Sequence, residues 1–301
     1  MDVSLLAVAF SFLAAFGFAS GTILVRIGTQ RVSAPTAAFF TVFTGAILLL
    51  IMAFAFQLQA ILALQPIAWA WFALMGAMAY PIARVLANSA IIRVGASRAS
   101  SMSAFQPVFT LALGVTFLGE RPNLLVGLGT PVVVLGLFMV FISERNNRGS
   151  KQVFSQKTLG YLLALGAAAA FGSRDVISRH VVSDIAPPLA AAAFALALGG
   201  LMLFAFTHRD VVNTLRSIPR RFTIICGLAG LVLGLAVASL FQALSLAPVT
   251  VVSPINASNP LITLVLAHLF LRRLESVNLL LVLGVLLSVG GVMMVIVGAS
   301  T

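Results

Sequence analysis

Two runs of small hydroxyl and carboxamide side chains stand out in an otherwise apolar chain. Ser97, Ser100, Ser103, Gln106, Pro107 and Thr110 recur at short helical steps, and Thr250, Ser253, Asn256, Asn259, Pro260 and Thr263 repeat the pattern 153 residues later. Steps of three and four residues put much of each set on one side of a helix. A hydroxyl can turn back to a carbonyl of its own helix, or hydrogen-bond a neighbouring helix. The carboxamides of Gln106, Asn256 and Asn259 differ, because each carries donors and acceptors that its own helix cannot satisfy in hydrocarbon. They must face other helices or water. Two readings stand open: they glue helices together, or they line a cavity in which a carboxamide binds a zwitterion's carboxylate or ammonium without a buried charge. Pro107 and Pro260 each remove a backbone hydrogen bond in mid-helix and permit a kink, and Pro81 in AYPIAR invites the same comparison. A kinked helix can close one end of a cavity while opening the other, or simply shape the bundle.

Charges inside apolar runs are few and costly enough to be candidates for function. Only Arg84, Arg174, Asp175 and Arg179 qualify. Arg84 lies about 27 Å along its helix at 1.5 Å per residue, so snorkelling to the nearer surface is favoured over anion binding in a cavity. Arg174 and Asp175 are sequence neighbours, so their side chains leave the helix about 100° apart and are expected to find separate partners. Aromatic side chains could supply a flat apolar wall. Phe16 and Phe171 each precede a glycine at an offset of 155, and Tyr80 stands beside Pro81 among small residues. Trp69 and Trp71 suit interfacial anchoring.

No phosphate-cradling GxxxxGK[ST], HExxH or GxSxG occurs, so ATP hydrolysis and the common hydrolytic chemistries have no seat and an enzyme is not expected. The single cysteine, Cys226, excludes an internal disulfide and a cysteine-cluster metal site, and reads as a packing residue. Neither a cofactor nor a metal is called for.

The elements that must position these residues follow from composition. The 301 residues are 61% apolar and only 8% charged, far from a soluble domain, where about a quarter are charged. At about 20 apolar residues per crossing, the length accommodates roughly ten transmembrane helices and no soluble domain. Apolar stretches predict spans at 4–27, 34–56, 66–91, 96–118, 123–143, 158–180, 187–207, 222–244, 249–270 and 277–298. They are long and lack the alternation of barrel strands. The first has no basic residue before it and no small-residue cleavage site, so it reads as a retained helix.

The two halves are copies. Phe16-Gly17 meets Phe171-Gly172, and Gly129, Gly136 and Met139 meet Gly284, Gly291 and Met294, at an offset of 155. Between them the polar series matches at 153, and FLGERPNLL against FLRRLESVNLL absorbs the slip, setting Glu120 opposite Glu275. Five helices per copy is an odd number, so the second copy enters the membrane from the opposite side. An all-α fold of ten helices in two inverted repeats is therefore expected: 1–143, a basic connector at 144–157, and 158–301.

The net charge of +11 sits in connectors, where it sets orientation and meets anionic lipid rather than nucleic acid. The odd-numbered connectors contain or adjoin nearly all the Lys and Arg, the even-numbered ones only Arg121 and Arg179. The positive-inside rule then puts the odd connectors in the cytoplasm and both termini outside, in the periplasm for a bacterial inner membrane.

The segments beginning FQPVFTLALGVTFLGERPN and SPINASNPLITLVLAHLFLRRLES, each followed by a glycine-containing helix, resemble the ends of the two EamA repeats of the drug/metabolite transporter superfamily. The residues carrying the resemblance are Pro107, Glu120, Gly129 and Gly136, and Pro260, Glu275, Gly284 and Gly291. It implies a ten-helix bundle whose central cavity is lined by the third, fourth, eighth and ninth helices. It also implies transport of small metabolites; one branch, the YddG-like exporters, moves aromatic amino acids.

The expected function is alternating-access export of a small-molecule substrate such as an amino acid, by a lipid-embedded monomer rather than an obligate oligomer. The expected contacts are Tyr80, Ser100, Ser103, Asn256 and Asn259, with Phe16 and Phe171 as walls and Pro81, Pro107 and Pro260 as kinks. Glu120 and Glu275 are expected to mark helix ends. The rivals are a sugar-phosphate or nucleotide-sugar exchanger, which needs several cavity cations, and a membrane subunit that binds a partner or lipid.

Overall fold

A computed structural model describes residues 5–28, 34–94, 102, 104–146, 154–215, 220–259, 261–263, 265–266 and 279–300. Every regular element among them is helical. The reason is physical: hydrocarbon offers backbone amides no partner, and a helix pairs them within its own segment. The first two crossings are α1 (Leu5–Gly28) and α2 (Ala34–Leu62). The third is α3 (Pro66–Ala77), a π-helical turn (Met78–Ala83) and α4 (Arg84–Val94). The fourth contains α5 (Gln106–Phe117) and the fifth is α6 (Leu124–Asn146). The second half supplies α7 (Phe154–Asp184), α8 (Pro188–Leu215), α9 (Arg220–Leu246), α10 (Val249–Asn256) in the ninth crossing, and α11 (Leu279–Ser300).

Five of the described helical segments are long and apolar enough to span a bilayer on composition alone. The sixth crossing, α7, is not among them, because Arg174, Asp175 and Arg179 lie within it. Its charges point to neighbours inside the bundle.

The packing has a pseudo-two-fold axis. The first crossing packs on the eighth as the third packs on the sixth, the eighth on the second as the third on the seventh, and the first on the ninth as the fourth on the sixth. The second and seventh, the fourth and ninth, and the fifth and tenth pair with their own counterparts. Those counterparts run antiparallel. Gly129 faces Gly291 while Gly136 faces Gly284, and Phe39 meets Phe204 while Gln57 meets Ala190. A two-fold that reverses helix direction lies across the helices, so the repeats are inverted.

The α6–α11 seam shows why the repeated glycines stand where they do. A Cβ on Gly291 would sit 2.6 Å from the Val133 nitrogen, one on Gly284 2.7 Å from the Val140 nitrogen, and one on Gly129 2.9 Å from the Gly291 carbonyl. No side chain fits. The seven-residue spacing of each glycine pair keeps this face on one seam through two turns, and close backbone approach supplies the packing that hydrophobicity cannot supply in lipid. The α1–α9 pair uses the same device, with Gly17 against Ala236 and Gly28 against the Cys226 thiol. Cys226 is fully buried there, as a packing residue.

Gly136→Ala is therefore expected to destabilise the bundle by about 1–3 kcal/mol, the usual cost of overpacking. Gly136→Leu should abolish monodisperse protein. Thermal melting and size-exclusion chromatography in detergent measure both, and wild-type behaviour of the leucine variant would refute the seam.

Candidate functional site

The fourth and ninth crossings are discontinuous at equivalent places. In the fourth, the Phe105 amide donates to the Met102 carbonyl (3.1 Å) and the Val108 amide to the Phe105 carbonyl (3.0 Å). In the ninth, the Ser258 amide donates to Ile255 (3.1 Å) and the Leu261 amide to Ser258 (3.0 Å). All three positions in each crossing correspond at the 153-residue offset seen in the sequence. These are tight i→i+3 turns that interrupt each α-helix. Pro107 consequently falls in the first turn of a restarted helix, α5, where its missing N–H is not needed. This differs from the mid-helix kink that the sequence suggests. Pro260 lies outside the described residues, as do Ser100, Ser103 and Glu275.

At the break in the ninth crossing the polar face points inward. Asn256 is 7% exposed, and neither its Oδ1 nor the Ser253 Oγ has a hydrogen-bond partner among the described residues. Asn259 is half-buried, and its carbonyl accepts from the Thr263 hydroxyl at 2.9 Å. Thr110 likewise returns its hydroxyl to the Gln106 carbonyl at 3.0 Å. The threonines thus satisfy themselves within their own helices, whereas Ser253 and Asn256 keep unspent polar capacity.

A cluster of charges lies on the third and sixth crossings. Arg174 Nη2 lies 2.7 Å from Asp175 Oδ1, with the side chains 11% and 2% exposed. This corrects the expectation that sequence neighbours would take separate partners: the long arginine side chain folds across to the carboxylate, because neither reaches water from there. Asp175 Oδ2 accepts from Gln106 Nε2 at 2.8 Å. Gln106, which the sequence required to face a polar partner, spends its amide on Asp175, a buried acid of the sixth crossing. Arg84 also departs from expectation. It does not snorkel but folds over the Tyr80 ring, its guanidinium carbon 5.8 Å from the centroid, and its Nε is buried without a hydrogen bond. The π-helical turn before it carries Tyr80, which is buried against Gly199. Pro81 is within that turn, where a ring without an N–H favours a locally widened helix.

The aromatic walls separate. Phe171 lies under Arg174, 5.9 Å from guanidinium to centroid, whereas Phe16 is 51% exposed and lines neither of the cavities described next. Trp69 packs edge-on against Phe72 and Phe194, and Trp71 against His180.

Two spaces adjoin this region. Tyr80, Arg174, Ala195 and Phe241 enclose a void of about 10 Å³, room for a water at most. At one end of the bundle a vestibule of about 630 Å³ is lined by Glu120, Arg121, Asn123, Arg179, Asp184 and Thr250. Thr250 leads along α10 to Ser253 and Asn256, about 9 Å further at 1.5 Å per residue. Among the described residues the void at Tyr80 holds a water at most, whereas the vestibule at one end of the bundle is open.

Glu120 builds the wall between the vestibule and α10. Gly119 adopts φ +65°, a left-handed turn that glycine takes without strain, and aims the next side chain at the ninth crossing. Glu120 Oε1 accepts from the Val249 amide (2.8 Å) and Oε2 from the Thr250 amide (3.0 Å). The helix-capping residue Pro248 has no side-chain acceptor, so the carboxylate caps α10 from another helix and complements its dipole. The Gly-Glu pair after an apolar helix was a signal available in the sequence; its partner was not.

Inverted five-helix halves meeting at two broken helices define a membrane transporter of the drug/metabolite type. The sequence matches the EamA-like transporter family over residues 5–142 and 158–297, and the chain belongs to that family. Its fold is also similar to that of another protein in a crystal structure, with a TM-score of 0.74 at 17% identity over 96% of this chain and 95% of that one. No curated protein matches the chain.

Glu120→Ala is expected to cost about 1–2 kcal/mol through the lost cap, and Glu120→Gln less, since an amide oxygen still accepts one bond. Melting temperatures of the two purified variants in detergent test the order; an alanine variant as stable as wild type would contradict the capping role.

Proposed function

We propose that this transporter exports small metabolites, amino acids foremost, across a bacterial inner membrane by rocking its two halves about the broken fourth and ninth helices. The observation that carries the reading is the unpartnered polar pair, Ser253 and Asn256, buried beside the break in the ninth crossing, about one and two helical turns along α10 from Thr250, which lines the vestibule. In lipid such atoms persist only where another partner serves them, and a solute passing through the bundle is that partner. Tyr80 and Phe171 form the opposite wall, Asn259 flanks the break, and Ser100 and Ser103 complete the polar face of the fourth crossing.

The vestibule gathers the connectors after the fourth, sixth and eighth crossings. By the positive-inside rule that face is periplasmic, and the open vestibule is then the release side of an exporter with both termini outside. A sugar-phosphate or nucleotide-sugar exchanger is disfavoured, because a dianionic or larger phosphate group calls for several interior cations. The protein acts as a monomer in this reading, since each copy carries both halves of its own path.

Asn256→Ala should lower the initial rate of amino-acid counterflow in proteoliposomes about tenfold, the value of one lost hydrogen bond of about 1.4 kcal/mol, with an unchanged melting temperature. Flux unaffected by both Asn256→Ala and Asn259→Ala would discard the site. Alkaline phosphatase fused after Thr301 should be active in cells, and an inactive fusion would reverse the orientation.

A further inference from the structure

The interior charges do not balance. Among the described residues the half-buried Arg84 and the buried Arg174 stand against one buried carboxylate, Asp175, which Arg174 and Gln106 already engage. Arg84 has an aromatic face for company and no acid. Both guanidinium groups keep a buried Nε without a hydrogen bond; Arg84 lies over the Tyr80 ring, and Tyr80 and Arg174 both line the void. A surplus cation inside a membrane protein is costly and calls for an anion.

The surplus is one-sided. At the 155-residue offset Arg174 and Asp175 correspond to Ala19 and Ser20. The third and eighth crossings align through Gly76, which packs on Gly199, and Gly230, which packs on Thr41 and Thr44 of the second crossing. In that register Tyr80 and Arg84 correspond to Gly234 and Ala238. The equivalent positions on the first and eighth crossings thus carry only neutral side chains. The duplication was broken at the positions that gather round Tyr80.

We infer that Arg84, with the free edge of Arg174, is the subsite for a single carboxylate on the transported solute, and that the solute crosses with this group held by the third and sixth crossings. The inference rests on the transport reading above and narrows its substrate class to carboxylate-bearing metabolites, amino acids among them. One surplus positive charge matches a carboxylate and underpays a phosphate dianion. Planar guanidinium edges suit the two carboxylate oxygens. The solute's remaining polar groups meet Asn256 and Ser253 across the path. The π-helical turn is the element that opens the subsite: its widened hydrogen bonding lets the segment bearing Tyr80 and Arg84 move without breaking α3 or α4. Opening is required, because the closed void admits no solute.

The experiment compares L-phenylalanine, 3-phenylpropionate and L-phenylalaninamide, which share a side chain and differ in the carboxylate and amine. Each is tested on the purified full chain in detergent by thermal shift, and by competition against labelled phenylalanine counterflow in proteoliposomes. Both acids should raise the melting temperature and compete, and the amide should compete at least about tenfold more weakly. Arg84→Gln should remove that discrimination and Arg84→Lys should keep part of it. Equal binding of acid and amide, or full discrimination by a folded Arg84→Gln variant, would overturn the carboxylate subsite while leaving amino-acid transport intact. Should none of the three bind while glucose 6-phosphate exchanges, the amino-acid reading fails and the subsite with it. The acid-to-amide comparison on the wild type decides the matter even if the Arg84 variants do not fold.

Discussion

Hydrocarbon leaves no polar group a partner outside the protein, and most features of this structure answer that constraint. The backbone answers it with helices. Thr110 and Thr263 answer it by returning their hydroxyls to their own helices. Asp175 answers it by gathering Arg174 and the Gln106 amide, and the first amides of α10 by donating to the carboxylate of Glu120. Against so thorough a pairing, the buried atoms left over gain meaning. Ser253 Oγ, Asn256 Oδ1, Asp175 Oδ1 and the Arg84 and Arg174 Nε atoms lie on the broken ninth helix and on the third and sixth crossings. Those are the elements to which the proposed path is assigned.

The inverted duplication supplies the mechanics. Equivalent helix pairs pack alike, so the halves can exchange roles and a passage open at one end has a counterpart closed at the other. The seams are glycine-lined where backbones touch, at α6–α11 and α1–α9, and such seams fit tightly enough to move as units. The breaks in the fourth and ninth crossings sit at matching positions and give each half a place to flex. The chemistry, by contrast, is asymmetric. The ionic groups Arg84, Arg174 and Asp175 gather on the third and sixth crossings and the unpartnered neutral groups Ser253 and Asn256 on the ninth, an asymmetry that under the proposed reading would orient a solute with unlike ends.

Much of this was legible in the chain. Apolar runs gave the crossings, the odd number of helices per copy gave the inversion, and the matched glycines marked the seam before their partners were known. These are properties of local composition and spacing, which lipid enforces residue by residue. The carboxamide of Gln106 announced that it needed a partner, because nothing within its own helix could serve it. Its choice of Asp175, 69 positions away, depended on how the fourth and sixth crossings were brought together.

What packing alone decided was direction and pairing. Arg84 could have reached the surface by length, but it lies over Tyr80, which the π-helical turn at Met78–Ala83 carries. Arg174 and Asp175 leave their helix well apart, yet confinement in a dry interior drew them together. Phe16 and Phe171 occupy matched sequence positions and part company, since only Phe171 has a cation beside it to cover. Sequence by itself determined which segments must cross, that they form two mirrored sets, and which side chains require company, because each of those follows from the cost of a group in hydrocarbon. Tertiary structure decided which partner each one found, because that depends on the neighbours brought within reach, a property of the assembled bundle and not of any one helix.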